Sequence, residues 1–250
     1  MSFWSLETEE GIATLVLERG KVNALNKQTV QELAEQLPRL AGDARVRGVV
    51  LTGRESFFSF GFDIPEFLSY SRQEFICFLE QFTELYTELF VFPKPLVAAL
   101  NGHTIAGGCM LALACDRRLM AQERGKISLN EITFGASIFA GSAEMLTSLV
   151  GRANAERILF SGAMFDAEEA HKLGLVDQVA HAEELIPSAR AACRDLGAAG
   201  LTAFQSIKRL IRDPIADLMR KREAESIREF VEIWYSKATW RRLQEIQIRK

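Results

Sequence analysis

Two short apolar runs, Phe3–Thr8 and Ile12–Leu17, flank Glu9-Glu10-Gly11 and predict a β-hairpin at the start of the chain. Asn26 is placed to cap a helix reaching about Leu40, with Val30, Leu33, Leu37 and Leu40 on one face. Val46–Thr52 reads as a buried strand closed by Gly53. A longer helical period, Phe75, Phe78, Leu79, Phe82, Leu85 and Leu89, predicts a helix over Arg72–Phe90, which Pro93 and Pro95 end. Leu96–Leu100 is a third core strand; a turn follows, and Gly107-Gly108 opens the apolar helix Met110–Ala114. Further strands are expected at Arg118–Ala121 and Ile127–Leu129. Strands alternating with helices imply an α/β core with parallel crossovers. Beyond about Gly141 the pattern is wholly helical: Ser142–Val150, Ala153–Phe160, Ala167–Lys172, Glu183–Asp195, Thr202–Ile211, then Ile215 to the end. Helices without strands of their own must pack on the core or on another subunit.

At 250 residues and 48% hydrophobic, the chain can bury one sizeable core. A net charge of −3 gives no electrostatic reason to invoke nucleic acid or a membrane surface. The late basic residues, Lys208 to Arg222, are interleaved with acids and read as a solvated helix face. Cys77, Cys109, Cys115 and Cys193 have neither zinc spacing nor a disulfide-framework pattern, so no metal is expected. The N-terminus shows no leader pattern and no apolar run reaches the roughly 20 residues of a membrane span. A reduced, cytoplasmic setting is the expectation.

Three segments carry candidate chemistry. In Ser56-Phe57-Phe58-Ser59-Phe60-Gly61-Phe62-Asp63-Ile64-Pro65-Glu66, Gly61 marks a tight bend and Asp63 a capped helix start. The segment suits an ordinary strand-to-helix loop, yet four phenylalanines need something apolar to cover. In Asn101 to Met110, glycines at a helix start let a ligand approach bare N–H groups where the helix dipole favours negative charge. Such a start serves either close packing or an oxyanion hole. It lacks the dinucleotide and Walker spacings, and His103 in the turn has no partner pattern. In Ser128-Leu129-Asn130-Glu131-Ile132, Glu131 among apolar neighbours is either a desolvated base or a capping or paired glutamate. Ser137 and Ser142 lack the glycine elbow of an acyl-transfer nucleophile.

In this order and spacing the pieces resemble the enoyl-CoA hydratase/isomerase (crotonase) superfamily. The likeness runs through Val22 to Asn26, Leu51-Thr52-Gly53, the Ser59 to Asp63 loop, Asn101 to Asp116, Gly151-Arg152-Ala153 and Ala170 to Asp177. It implies a spiral of ββα repeats, with an acyl-CoA-binding core at 1–195 and a C-terminal helical region at 196–250. It also implies assembly as a homotrimer or a dimer of trimers. The substrate would be a coenzyme A thioester, with no tightly bound cofactor. Carried over residue by residue, the N–H groups of Phe62 and Gly107 would hold the thioester oxygen. The loop residues Ser59, Phe60, Gly61, Asp63 and Ile64, with Met110 and Asn130, would line the substrate and CoA site.

Hydratases of the family use two glutamates. One matches Glu131; the other position is Met110, which supplies neither acid nor base. The strings Ala106 to Asp116 and Leu129-Asn130-Glu131, and the tail Trp234 to Leu243, look most like the Δ3,Δ2-enoyl-CoA isomerase branch. A single carboxylate suits an isomerase, because no water needs to be held, and an apolar Met110 helps to keep water out. Phe60 and Phe62 depart from the small or aliphatic residues usual in this loop, and Asn130 stands where many hydratases have proline. The alternatives are a hydratase, another enolate-forming enzyme such as a hydrolase or decarboxylase, and a non-catalytic acyl-CoA-binding homologue.

Overall fold

The computed structural model describes residues 2–123 and 125–246. The predicted hairpin is formed by β1 (Trp4–Glu9) and β2 (Ile12–Leu17), antiparallel and in register from Trp4 opposite Leu17 to Glu9 opposite Ile12. Helix α1 (Lys27–Gly42) starts from an Asn26 cap whose side chain accepts from Thr29 N–H.

Three strand–strand–helix units then follow, each sending a long strand to one sheet and a short strand to another. β3 (Gly48–Gly53) precedes β4 (Phe57–Ser59), with α2 (Ile64–Phe67) and α3 (Arg72–Phe90) behind them. β5 (Leu96–Leu100) precedes β6 (His103–Ile105) and α4 (Gly107–Ala114). β7 (Arg117–Ala121) precedes β8 (Ile127–Ser128) and a 3-10 turn at Glu131–Phe134. The large sheet runs β1-β2-β3-β5-β7-β9 and the small one β4-β6-β8, parallel throughout except for the opening hairpin. This is a mixed α/β crotonase-like spiral with helices gathered at its C-terminal end.

Four expectations need correction. Phe57–Ser59 and His103–Ile105, read as loop and turn, are strands of the small sheet; three residues are too few to show a period. Gly141 onward is not wholly helical, because β9 (Gln178–Ala180) adds a parallel edge strand to β7. Asp177 fixes it there by accepting from the backbone N–H of Arg118 at 2.8 Å and from its guanidinium at 2.7 Å. The break expected between Ile211 and Ile215 is absent: α9 (Leu201–Trp234) runs through Pro214. Pro214 is exposed, so water can satisfy the carbonyl its missing N–H frees, and packing on α3 and α5 (Ala140–Val150) outweighs the loss. The helix expected to reach the chain end stops at Trp234, and Ser236 caps a separate α10 (Lys237–Gln244). Residues 247–250 of that expectation lie outside the described residues.

The remaining helices, α6 (Arg152–Ser161), α7 (Ala167–Lys172) and α8 (Leu185–Gly197), fall close to their predicted spans. The 195/196 division falls in the last turn of α8. Across it, α9 is tied firmly to the core. Arg212 donates to the carbonyls of Phe90, Ala114 and Cys115 at 2.7, 3.0 and 3.1 Å, where α3 and α4 end. Lys208 Nζ lies 2.9 Å from the Asp116 carboxylate, and burial pulls its pKa down to about 8.

Candidate active site

Two backbone segments meet at the start of α4. Gly61 is at φ +90°, and a Cβ there would stand 2.9 Å from Ile105 O and 3.1 Å from Gly107 N. Only glycine lets the loop lie this close without covering the Gly107 N–H. The bend is held by Ser59, whose buried hydroxyl donates to Asn23 O (2.8 Å) and accepts from Gly61 N–H (3.1 Å). Gly108 serves packing: a Cβ would fall 2.7 Å from Ser59 O.

Both candidate donor groups are released by their surroundings. Leu25 N–H donates to Gly61 O at 2.7 Å and Asp63 N–H donates to Leu25 O at 2.8 Å. Phe62, between those bonds, pairs with Leu25 in a parallel bridge and turns its own N–H to the other side. In α4 the first intrahelical bond runs from Met110 N–H to Ala106 O (3.0 Å), so Gly107 N–H is free of the helix ladder. Ala106, immediately before it, is held at φ +49°, ψ −119°. A non-glycine residue in that region costs about 1–3 kcal/mol and persists where the surroundings fix it, often at functional sites.

These segments open on an apolar cavity of about 290 Å³. Phe60, Phe62, Ile64, Gly107, Met110 and Asn130 line it, as does Glu131. Ser59, Gly61 and Asp63 stand behind the wall. Asp63 caps α2 and pairs with Arg19 at 2.7 Å; Arg19 also reaches Glu66 at 3.1 Å, so the loop is pinned from outside. The Phe62 ring lies against Gly107 and packs 5.7, 5.1 and 4.8 Å from the rings of Phe67, Phe78 and Phe82.

Glu131 is 4% exposed and its Oε2 has no hydrogen-bond partner. Burial pushes its pKa up to about 8, partly offset by its own backbone N–H. It is the sole carboxylate among the described lining residues, and the Oδ1 of adjacent Asn130 is likewise buried and unpartnered. Neither His103 nor Glu144 lies in the cavity lining to act as a second acid or base. His103 packs its ring 5.1 Å from Phe57 and accepts from Lys126 N–H through Nδ1 at 3.2 Å. Glu144 pairs with Arg222. No group of three metal-ligating side chains is found among the described residues.

The enoyl-CoA hydratase/isomerase family profile matches residues 7–239. The chain belongs to this family. It is 33% identical to the enoyl-CoA delta isomerase 1, mitochondrial, of Mus musculus over 88% of this chain and 78% of that one. A probable enoyl-CoA hydratase of Bacillus subtilis (strain 168) is 35% identical over 76% and 74%. The fold superimposes on the human mitochondrial delta3-delta2-enoyl-CoA isomerase with a TM-score of 0.91 at 30% identity, covering 97% of this chain and 96% of that one. Family members of both reaction types are therefore similar to it.

Sequence reasoning missed the far side of the cavity, where Phe139, Phe230 and Trp234 close it. The i, i+4 spacing of Phe230 and Trp234 gives them one helix face. It does not say what that face meets.

Proposed function

We propose that this protein is an enoyl-CoA isomerase that moves a double bond from C3 to C2 of an acyl-CoA. The observation carrying the reading is one buried carboxylate with a raised pKa, facing the cavity that the Phe62 and Gly107 backbone borders, with Met110 in place of a second acid. Ionised Glu131 takes a proton from C2 of a 3-enoyl thioester. The electron pair moves into a dienolate, and the charge on its oxygen is met by the N–H groups of Phe62 and Gly107. The α4 dipole adds to that stabilisation. The Glu131 carboxyl then returns the proton at C4, giving the 2-enoyl thioester and the starting carboxylate. Such backbone donors act on the thioester oxygen whatever acyl chain follows.

The test incubates the protein with a trans-3-enoyl-CoA and follows the absorbance of the conjugated 2-enoyl product. No product at any enzyme concentration sinks the isomerase reading.

Asn130 supports a second reading. Its unpartnered Oδ1 beside Glu131 is an acceptor able to hold a water, as hydration requires. Formation of 3-hydroxyacyl-CoA from 2-enoyl-CoA, faster than isomerisation, would establish it.

Self-association is part of the proposal. Ile207, Leu210 and Ile211 on α9 are 58%, 77% and 63% exposed, an apolar surface that a neighbouring copy would cover. Sedimentation at micromolar concentration should give a trimer or hexamer.

A further inference from the structure

The cavity has a mouth and a floor. Phe60, Phe134 and Ile246 are half-buried and Thr133 is exposed, so a chain enters on their side. Phe139, Phe230 and Trp234 are 1%, 2% and 1% exposed, and an entering chain ends against them. Their rings form a continuous wall: Phe139 and Phe230 lie 4.6 Å apart, Phe230 and Trp234 5.7 Å, and Trp234 and Phe75 4.7 Å.

Backbone bonds hold this wall as well as packing. Phe139 precedes the first residue of α5, whose opening turn is gripped from α9. Ser226 Oγ accepts from Ala140 N–H at 3.0 Å, and Glu223 Oε2 accepts from Gly141 N–H at 3.0 Å. There is no slack in the grip, since a Cβ on Gly141 would lie 2.5 Å from Glu223 Oε2 and 2.6 Å from the Tyr86 ring. A floor fixed at both its helices resists a longer ligand, because close-packed interiors yield little.

The cavity volume is about 290 Å³. A methylene fills about as much space as a water in the liquid, about 30 Å³, so the cavity takes roughly ten such groups. Part of that space belongs to the thioester itself. Resting on the acyl-CoA reading above, we propose that Phe139, Phe230 and Trp234 set the acyl-chain length. The site takes linear medium-chain 3-enoyl groups of about eight carbons, about ten at most, and gains nothing from longer ones.

The test measures dissociation constants of saturated acyl-CoA thioesters from butanoyl to tetradecanoyl by titration calorimetry, which needs no turnover. Affinity should rise about fourfold per added methylene up to about eight carbons, then level or fall beyond about ten. In Phe230→Leu and Trp234→Ala the break should move to longer chains by about two carbons or more, as the opened space fills. The dodecanoyl-to-octanoyl ratio within one preparation does not depend on its folded fraction, and Phe230→Leu serves if Trp234→Ala fails to fold. A gain that continues unbroken to tetradecanoyl, no gain between butanoyl and octanoyl, or a break that neither variant moves overturns the proposal. Failure of the acyl-CoA reading looks different: no thioester of any length binds. Loss of the isomerase reading alone would leave the binding break in place.

Discussion

The two ends of the cavity are built by opposite means. At the α4 end the candidate donors are main-chain N–H groups, set by Gly61, by the strained Ala106 and by a bridge to Leu25. At the other end the wall is made of side-chain rings, from Phe139 at the start of α5 and from Phe230 and Trp234 on α9. A backbone site works only at one geometry, and here segments far apart in the chain, Leu25, Gly61 and Ala106, must meet to fix it. A side-chain wall can be rebuilt from many residues, provided their summed volume is kept. The first kind is suited to chemistry common to a family, the second to choosing among its substrates.

This contrast can be broken in order of expected effect. Glu131→Gln keeps shape and removes the proton carrier; kcat/KM should fall by about 10³-fold or more, while binding of a saturated acyl-CoA changes by less than about threefold. Turnover assays paired with calorimetry check this, and retained activity would move the proton work elsewhere. Gly61→Ala places a methyl beside Gly107 N and forces a strained φ, so kcat should drop by about 10²-fold. A comparable loss from floor variants such as Phe230→Leu on short substrates would erase the distinction between the two ends.

The pH profile is a smaller and sharper test. Glu131 must be ionised to take a proton, and its pKa stands at about 8. Thus kcat/KM should climb about tenfold per pH unit below about 8 and then level. The same shift has a stability sign. The folded carboxyl, at about 8 against an ordinary 4.5, holds its proton more tightly than the unfolded one. Its contribution is therefore full below about 4.5 and is lost as pH rises toward 8. Glu131→Gln should then match the wild type in Tm near pH 4 and exceed it by a few degrees at pH 8. Calorimetric scans at the two pH values read the difference; an equal or lower Tm at pH 8 contradicts the burial argument.

Local chemistry explains what could be read in the sequence. Asn26 and Asp63 cap helices through their own side chains, and the span Arg72–Phe90 read from the apolar period is that of α3. Gly61, Gly107 and Glu131 stood out because each is unusual for its immediate surroundings. Phe230 and Trp234 did not, since an amphipathic helix face looks the same whether it covers a core or a substrate. β9 escaped because three residues carry no period, and its place depends on Arg118, 59 positions before Asp177. The break expected between Ile211 and Ile215 failed for a related reason: the local cost of Pro214 is real, but contacts with α3 and α5 decide the outcome.

The grip of Arg212 and Lys208 bears on how the chain could be cut. Arg212 satisfies carbonyls at the ends of both α3 and α4, and Lys208 neutralises the nearly buried Asp116. A chain ending before α9 would lose Phe230 and Trp234 from the cavity wall, and it would also leave the carbonyls at two helix ends and the Asp116 carboxylate without their cationic partners. Helix α9 is therefore a keystone rather than an appendage: it closes polar groups at the ends of α3 and α4 that the core ahead of it leaves open.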